Sequence, residues 1–125
     1  MKKIIHSPLA PKAVGPYSQA VQTGNMLFVS GQIPLDAETG KIVDGGITEQ
    51  THQVLKNMGH ILREAGYDYS DVVKCTVLLD NMDNFAPMNE VYGQYFTENA
   101  PARAAYGVVR LPLGVMVEIE CIASK

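Results

Sequence analysis

Arg103, Glu118 and Glu120 are the residues of this chain whose types and spacing best suit chemistry on a small anion. Arg103 follows Pro101 and lies in an otherwise uncharged run that extends to Val109. The two glutamates are two residues apart in a strand-like segment and therefore share one face of it. A guanidinium binds a carboxylate through a planar fork, and a nearby glutamate can hold a water molecule. The pattern predicts a site for a small carboxylate, although an isolated arginine is often only a surface charge and a solvated face is the simpler interpretation of Glu120.

A serine–glycine pair at the end of a predicted strand could line such a site. Ser30 and Gly31 end an apolar run, where glycine permits either a β-bulge or close approach of a ligand to the backbone. Tyr17 follows Gly-Pro, and its ring could be ordinary core packing with the hydroxyl group hydrogen-bonded. A metal site is not expected, because His52 and His60 are eight residues apart on one predicted helix and the chain has no Cys-X-X-Cys motif.

Length and composition favour one domain over residues 1–125, with 46% hydrophobic residues to form a core. The net charge of −3 and the scattered lysines and arginines argue against a nucleic-acid partner. Neither a signal peptide nor an apolar run of about 20 residues is present, so no membrane association is expected. Cys75 and Cys121 fall in predicted strands and are expected to be free, buried thiols, which favours a cytoplasmic location.

The elements that position these residues are predicted in the order β-β-β-α-β-α-β-β. Strands are expected over residues 3–6, 17–22, 26–32 and 71–79, with a turn at Gly24–Asn25. One helix is expected from about Glu49 to Ala65, capped by Thr48 and ended by Gly66. A second helix is expected from Asp83 or Asn84 to about Phe96.

The last two strands are predicted to form a hairpin. The strand that begins at Arg103 would be joined through a turn at Arg110–Gly114 to a strand over Val115–Ile122, in which apolar and other side chains alternate. This hairpin would place Arg103 and Glu118 near each other on a stiff scaffold.

Two helices and a mixed sheet indicate a two-layer fold in which both helices cover the same face of the sheet. The strands carry apolar residues on both sides, so a partner subunit is expected to cover the other face. From the residues alone, the chain is predicted to be a compact oligomeric α/β domain that binds a small anion.

Five short motifs, in order and in register, resemble the RidA family, also called the YjgF/YER057c/UK114 family. The resemblance extends from about residue 3 to residue 124, and its motifs are Gly15–Ala20, Ser30–Pro34, Asn89–Tyr92, Pro101–Arg103 and Val117–Glu120. It implies an α+β, chorismate-mutase-like (YjgF-type) fold. It also implies a homotrimer in which the sheets form a central barrel and the clefts lie between subunits.

The resemblance further implies a cofactor-independent enzyme, a 2-iminobutanoate/2-iminopropanoate deaminase. Such an enzyme hydrolyses reactive enamine/imine intermediates (2-aminoacrylate, its tautomer 2-iminopropanoate, and 2-iminobutanoate) to 2-keto acids and ammonia. Arg103 would bind the substrate carboxylate and Glu118 would position the attacking water. The cleft would be lined by Ser30, Gly31, Asn89 and, from an adjacent subunit, Tyr17.

Two departures from the family pattern follow Arg103. Ala105 stands where many members have cysteine, and Tyr106–Gly107 replaces a more common Glu-Val. Activity is expected to survive, because the backbone carbonyl of Ala105 remains available to the substrate. Two other functions stay open: a non-catalytic module that binds 2-keto acids, and an endoribonuclease or translation inhibitor, which the net charge disfavours.

Overall fold

Six strands form a mixed sheet in the computed structural model, which describes residues 1–125. The elements are β1 (Lys3–Ile5), β2 (Ala20–Thr23), β3 (Met26–Gln32), α1 (Ile47–Glu64), β4 (Val72–Leu79), α2 (Phe85–Tyr95), β5 (Ala102–Gly107) and β6 (Val117–Ser124). The strands lie in the order β1-β2-β3-β6-β4-β5, and only β4 and β5 run parallel. The predicted succession of elements and the α+β class are confirmed.

Strands β2 and β3 form the predicted hairpin around Gly24, whose φ of 59° suits a tight turn. Strand β2 begins at Ala20, three residues later than predicted. The preceding segment is held in a loop by the Gln19 side chain, which accepts a hydrogen bond from the Ser7 N–H (2.6 Å) and donates one to the Pro11 carbonyl (2.9 Å). These side-chain hydrogen bonds replace the backbone hydrogen bonds that a strand would form there.

The predicted hairpin of the last two strands is wrong, because β4 lies between β5 and β6. Cys75 on β4 pairs with Arg103 on one side and with Cys121 on the other. The chain runs from β4 through helix α2 into β5, which lies parallel to β4. The next connection passes back over β4, and β6 then lies between β3 and β4. Alternation along a strand identifies the two faces but not the lateral neighbour.

Helix α1 begins two residues earlier than predicted, at Ile47 instead of Glu49. Gly46 is the N-cap, and the Glu49 carboxylate accepts a hydrogen bond from its backbone N–H at 2.8 Å. Thr48 therefore lies inside the first turn, and the prediction that it caps the helix is wrong. The other end agrees with the sequence, since Gly66 follows the C-cap in a left-handed conformation (φ 84°).

Both helices pack on the same face of the sheet, as predicted. Helical spacing predicts a buried apolar stripe on α1, and five of its six residues are fully buried: Val54, Leu55, Met58, Ile61 and Leu62. The sixth, Ala65, is the partly buried C-cap. Cys75 and Cys121 are free thiols buried on the same face, which confirms that expectation.

The opposite face of the sheet carries an apolar row without helical cover. The pairings align Ile4, Val21, Phe28 and Ile122 across four strands. Ile4 is 54% and Phe28 43% exposed. Neither helix combines the length and the apolar character needed to cross a membrane.

Candidate functional site

Arg103 on the edge strand β5 is oriented by helix α2. Its Nη1 donates a hydrogen bond of 2.6 Å to Asn89 Oδ1, and its Cζ lies 4.8 Å from the ring centroid of Tyr92 and 5.3 Å from that of Phe85. These three partners share one face of α2, because they are spaced four and three residues apart. The aromatic rings attract the cation and fix its plane, and the remaining guanidinium N–H groups stay available to a ligand.

Tyr92 supports Arg103 through its ring, while its hydroxyl is buried and has no hydrogen-bond partner. Burial is the main cause that raises the pKa of Tyr92, and burial also raises the pKa of the neighbouring Cys75 thiol. The Tyr92 hydroxyl and the Cys75 thiol therefore stay protonated at neutral pH, and both residues serve to pack the region next to Arg103.

A second group of residues surrounds Glu118 on β6. It lines a cavity of about 650 Å³ formed by Val14, Tyr17, Ser30, Gly31, Ile33, Pro112, Leu113, Glu118 and Glu120. Strand β3 bulges beside this cavity: Val29 pairs with Cys121 and Gln32 with Ile119, so Ser30 and Gly31 together face one residue of β6. The bulge expected at Gly31 is present, and bulges often redirect side chains next to functional sites.

Gly31 leaves the space that the Glu118 carboxyl occupies. A Cβ atom at this position would collide with Glu118 Oε2 and would lie 2.9 Å from Glu118 Cδ. The φ of Gly31 is not in the left-handed region, so glycine matters here because it leaves room for this carboxyl, which a Cβ atom would displace. The backbone of β3 and the glutamate are thus held in direct contact.

The environment of Glu118 favours its protonated form. Partial burial is the main cause that raises the pKa of Glu118, and repulsion from Glu120 adds to it. A carboxyl with a raised pKa can both accept a proton from water and return it to a leaving group near neutral pH. Glu118 is therefore suited to general acid–base chemistry.

Glu118→Gln is expected to raise the melting temperature at pH 7. A carboxyl whose folded pKa is raised stabilises the folded state below its unfolded value, near 4.5, and loses that contribution as the pH rises. The gain in melting temperature should therefore disappear below about pH 4. Thermal denaturation from pH 3.5 to 8 would measure it, with Glu90→Gln, an exposed change on α2, as the control; a lower melting temperature for Glu118→Gln at pH 7 would contradict this electrostatic account.

Arg103 and Glu118 lie on opposite faces of the sheet, which corrects their predicted proximity within one subunit. Arg103 aligns with the buried Cys75, whereas Glu118 alternates with the buried Val117 and Ile119 and points the other way. Arg103 and Asn89 line a separate cavity of about 400 Å³. The expected site residues thus form two groups: Arg103 with Asn89, and Glu118 with Tyr17, Ser30 and Gly31.

Ala105 belongs to the Arg103 side of the sheet. It lies two residues further along β5 on the same face, where it packs against the core, and it lines neither cavity. No group of three or more His, Cys, Asp or Glu side chains is arranged to hold a metal ion.

Phe85 and Tyr92 contact Arg103, and Leu113 lines the cavity of Glu118, but none of the three was among the predicted site residues. Aromatic residues along one side of a predicted helix are ordinarily packed in the core. The spacing of Phe85, Asn89 and Tyr92 on one helical face, just before the strand that holds Arg103, was the available signal. Nothing in the sequence marks Leu113.

Comparisons with known proteins identify the family of this chain. The profile of the family described as Endoribonuclease L-PSP matches residues 7–125. The chain belongs to this family. Human 2-iminobutanoate/2-iminopropanoate deaminase is 50% identical over 123 residues, which cover 98% of this chain and 90% of the human one.

Solved structures show the same fold. RidA from an Antarctic Psychrobacter matches with a TM-score of 0.95 at 43% identity, covering 98% of this chain and 99% of that one. E. coli TdcF with bound serine matches with a TM-score of 0.94 at 42% identity, covering 98% of each chain. The resemblance to the RidA family and the YjgF-type fold are therefore confirmed.

Proposed function

We propose that this protein hydrolyses small 2-imino acids, 2-iminopropanoate and 2-iminobutanoate, to 2-keto acids and ammonia. The observation that carries the proposal is the oriented guanidinium of Arg103, held by Asn89 and two aromatic rings at the edge of the sheet. Such a fork is the complement of a carboxylate, which both substrates carry. The human relative at 50% identity, named for this reaction, supports the same chemistry.

The working site is proposed to lie between subunits of a homotrimer. Arg103 and Glu118 point to opposite faces of one sheet, so one ligand meets both only if Glu118 comes from a second copy. The outer edge of β5 is unpaired and the apolar row of Ile4 and Phe28 is uncovered, which gives a second copy a surface on which to pack. Three such contacts would close into a ring whose sheets surround a central barrel.

The proposed reaction uses one water molecule and the side chains named above. Arg103 holds the substrate carboxylate and so fixes the C=N carbon for attack. Glu118 of the neighbouring copy accepts a proton as water adds to the carbon of the protonated imine, and it returns that proton to the nitrogen of the resulting carbinolamine. The C–N bond then breaks and ammonia leaves, while Glu118 accepts the hydroxyl proton as the carbonyl of the 2-keto acid forms. Tyr17, Ser30 and Gly31 are proposed to line the cleft beside the water, and the Ala105 carbonyl to face the substrate.

We propose no ribonuclease activity for this chain, although the family is described as Endoribonuclease L-PSP. Glu118 and Glu120 give the larger cavity an acidic lining, which repels a phosphate backbone. We further propose that residues 1–125 act as one domain in the cytoplasm, where free thiols such as Cys75 and Cys121 persist.

A coupled assay tests the proposed function. A threonine or serine dehydratase generates the imino acid in place, and 2-keto-acid release is followed with and without this protein. We expect faster release in its presence, with a modest acceleration because the imines hydrolyse spontaneously. Tight binding of 2-keto acids without any acceleration would instead establish the non-catalytic binding module.

A further inference from the structure

Leu113 adopts a backbone conformation that its side chain disfavours. Its φ of 57° and ψ of 19° lie in the left-handed region, and the following Gly114 also has a positive φ (68°). Bulky L-residues rarely occupy this region, where glycine or asparagine is preferred. Strained positions of this kind cluster at functional sites.

The fold gives no reason for leucine at this position. Its side chain is 74% exposed, so burial within the subunit does not offset the strain. The turn itself is closed by backbone hydrogen bonds, from the Gly114 N–H to the Leu111 carbonyl (3.1 Å) and from the Val115 N–H to the Pro112 carbonyl (3.3 Å). These bonds do not involve the leucine side chain.

The Leu113 side chain lines the cavity that contains Glu118. That cavity has two kinds of wall: an acidic part formed by the two glutamates, and an apolar part to which Leu113, Ile33 and Val14 contribute. Leu113 also lines the smaller adjoining cavity of about 90 Å³ with Ile33. The strained turn thus presents a branched alkyl group to the space next to the proposed acid–base residue.

We propose that Leu113 is a specificity-determining residue that contacts the alkyl side chain of the substrate. This inference rests on the proposed function. An apolar wall gains contact with each added methylene and offers nothing to a hydroxyl group. The protein would therefore prefer 2-iminobutanoate to 2-iminopropanoate, and Leu113 would account for a large part of that preference.

The test compares kcat/KM for the two imino acids, generated from threonine and serine, in wild type and in Leu113→Gly and Leu113→Asn. Both replacements suit the left-handed backbone, so their melting temperatures should equal or exceed that of the wild type. We expect the preference for 2-iminobutanoate to fall about fivefold in both variants. Val109→Ala, a change at a fully exposed residue of the same connection that lines neither cavity, should leave the preference unchanged.

Binding separates a failure of this inference from a failure of the proposed function. Affinities for 2-ketobutyrate and pyruvate are measured by calorimetry on the same four proteins. If no protein accelerates imine hydrolysis but Leu113→Gly loses a wild-type preference for 2-ketobutyrate, the role of Leu113 stands and the proposed function fails. An unchanged preference in both Leu113 variants, in turnover or in binding, overturns the inference.

Discussion

Replacing Arg103 with alanine is expected to lower kcat/KM for imino-acid hydrolysis by about 100- to 1000-fold. The variant loses two charge-assisted hydrogen bonds to the substrate carboxylate, each worth about 1.5–3 kcal/mol, only part of which is offset by water. Arg103 is half-buried at a sheet edge and bonds only to Asn89, so the fold should survive. The coupled assay and thermal denaturation measure the two effects separately.

Two further variants sharpen the test of Arg103. Arg103→Lys keeps the charge but loses the planar fork and the stacking on Tyr92, so we expect a loss of about tenfold, mainly in KM. Arg110→Ala removes an exposed arginine from the β5–β6 connection that lines neither cavity, and it should behave as the wild type. An Arg103→Ala protein that releases 2-keto acid at the wild-type rate would remove Arg103 from the proposed site.

Mixed assemblies of Arg103→Ala and Glu118→Gln subunits are expected to regain activity that neither variant has alone. The two residues face opposite sides of the sheet, so each proposed site takes Arg103 from one copy and Glu118 from the next. In randomly mixed rings, about one quarter of the sites would combine two intact residues. Co-refolding the two variants in equal amounts and assaying the product measures this recovery.

A matched mixture distinguishes the two arrangements of the site. When wild type is co-refolded with the Arg103→Ala/Glu118→Gln double variant, sites between copies leave about one quarter of the activity, whereas sites within one copy leave about one half. Recovery in the first mixture together with one quarter in the second supports the shared site. An inactive first mixture would mean that Arg103 and Glu118 act within the same subunit or not together.

The sequence predicts local structure here better than it predicts lateral neighbours. Strand β3 is found at the predicted residues, Met26–Gln32, and the buried stripe of α1 follows from helical periodicity, because both patterns depend on residues close in the chain. The position of β4 between β5 and β6 depends instead on which strands pack together, and no local pattern encodes it. The predicted hairpin failed for that reason.

The same limit applies to the candidate site. Glu118 and Glu120 share a face, as alternation along one strand requires, but alternation cannot relate Glu118 to Arg103 on a different strand. Asn89 was expected to line the site from the family resemblance, whereas its hydrogen bond to Arg103 and the aromatic support from Phe85 and Tyr92 emerged only from the packing of α2 on β5. The spacing of residues along the chain cannot reveal a role that depends on contacts between different elements.

The late position of β6 in the chain has a consequence for synthesis on the ribosome. Because β6 joins β3 to β4, a nascent chain that lacks residues 117–124 holds its sheet in two pieces, β1-β2-β3 and β4-β5. These pieces are linked mainly through the packing of α1 on β3 and on α2, and each has an open strand edge. The sheet closes only when the last strand emerges, through contacts that span most of the chain. The sheet therefore cannot be completed before β6 has emerged, and chains that stall or are truncated before residue 117 expose strand edges that favour aggregation.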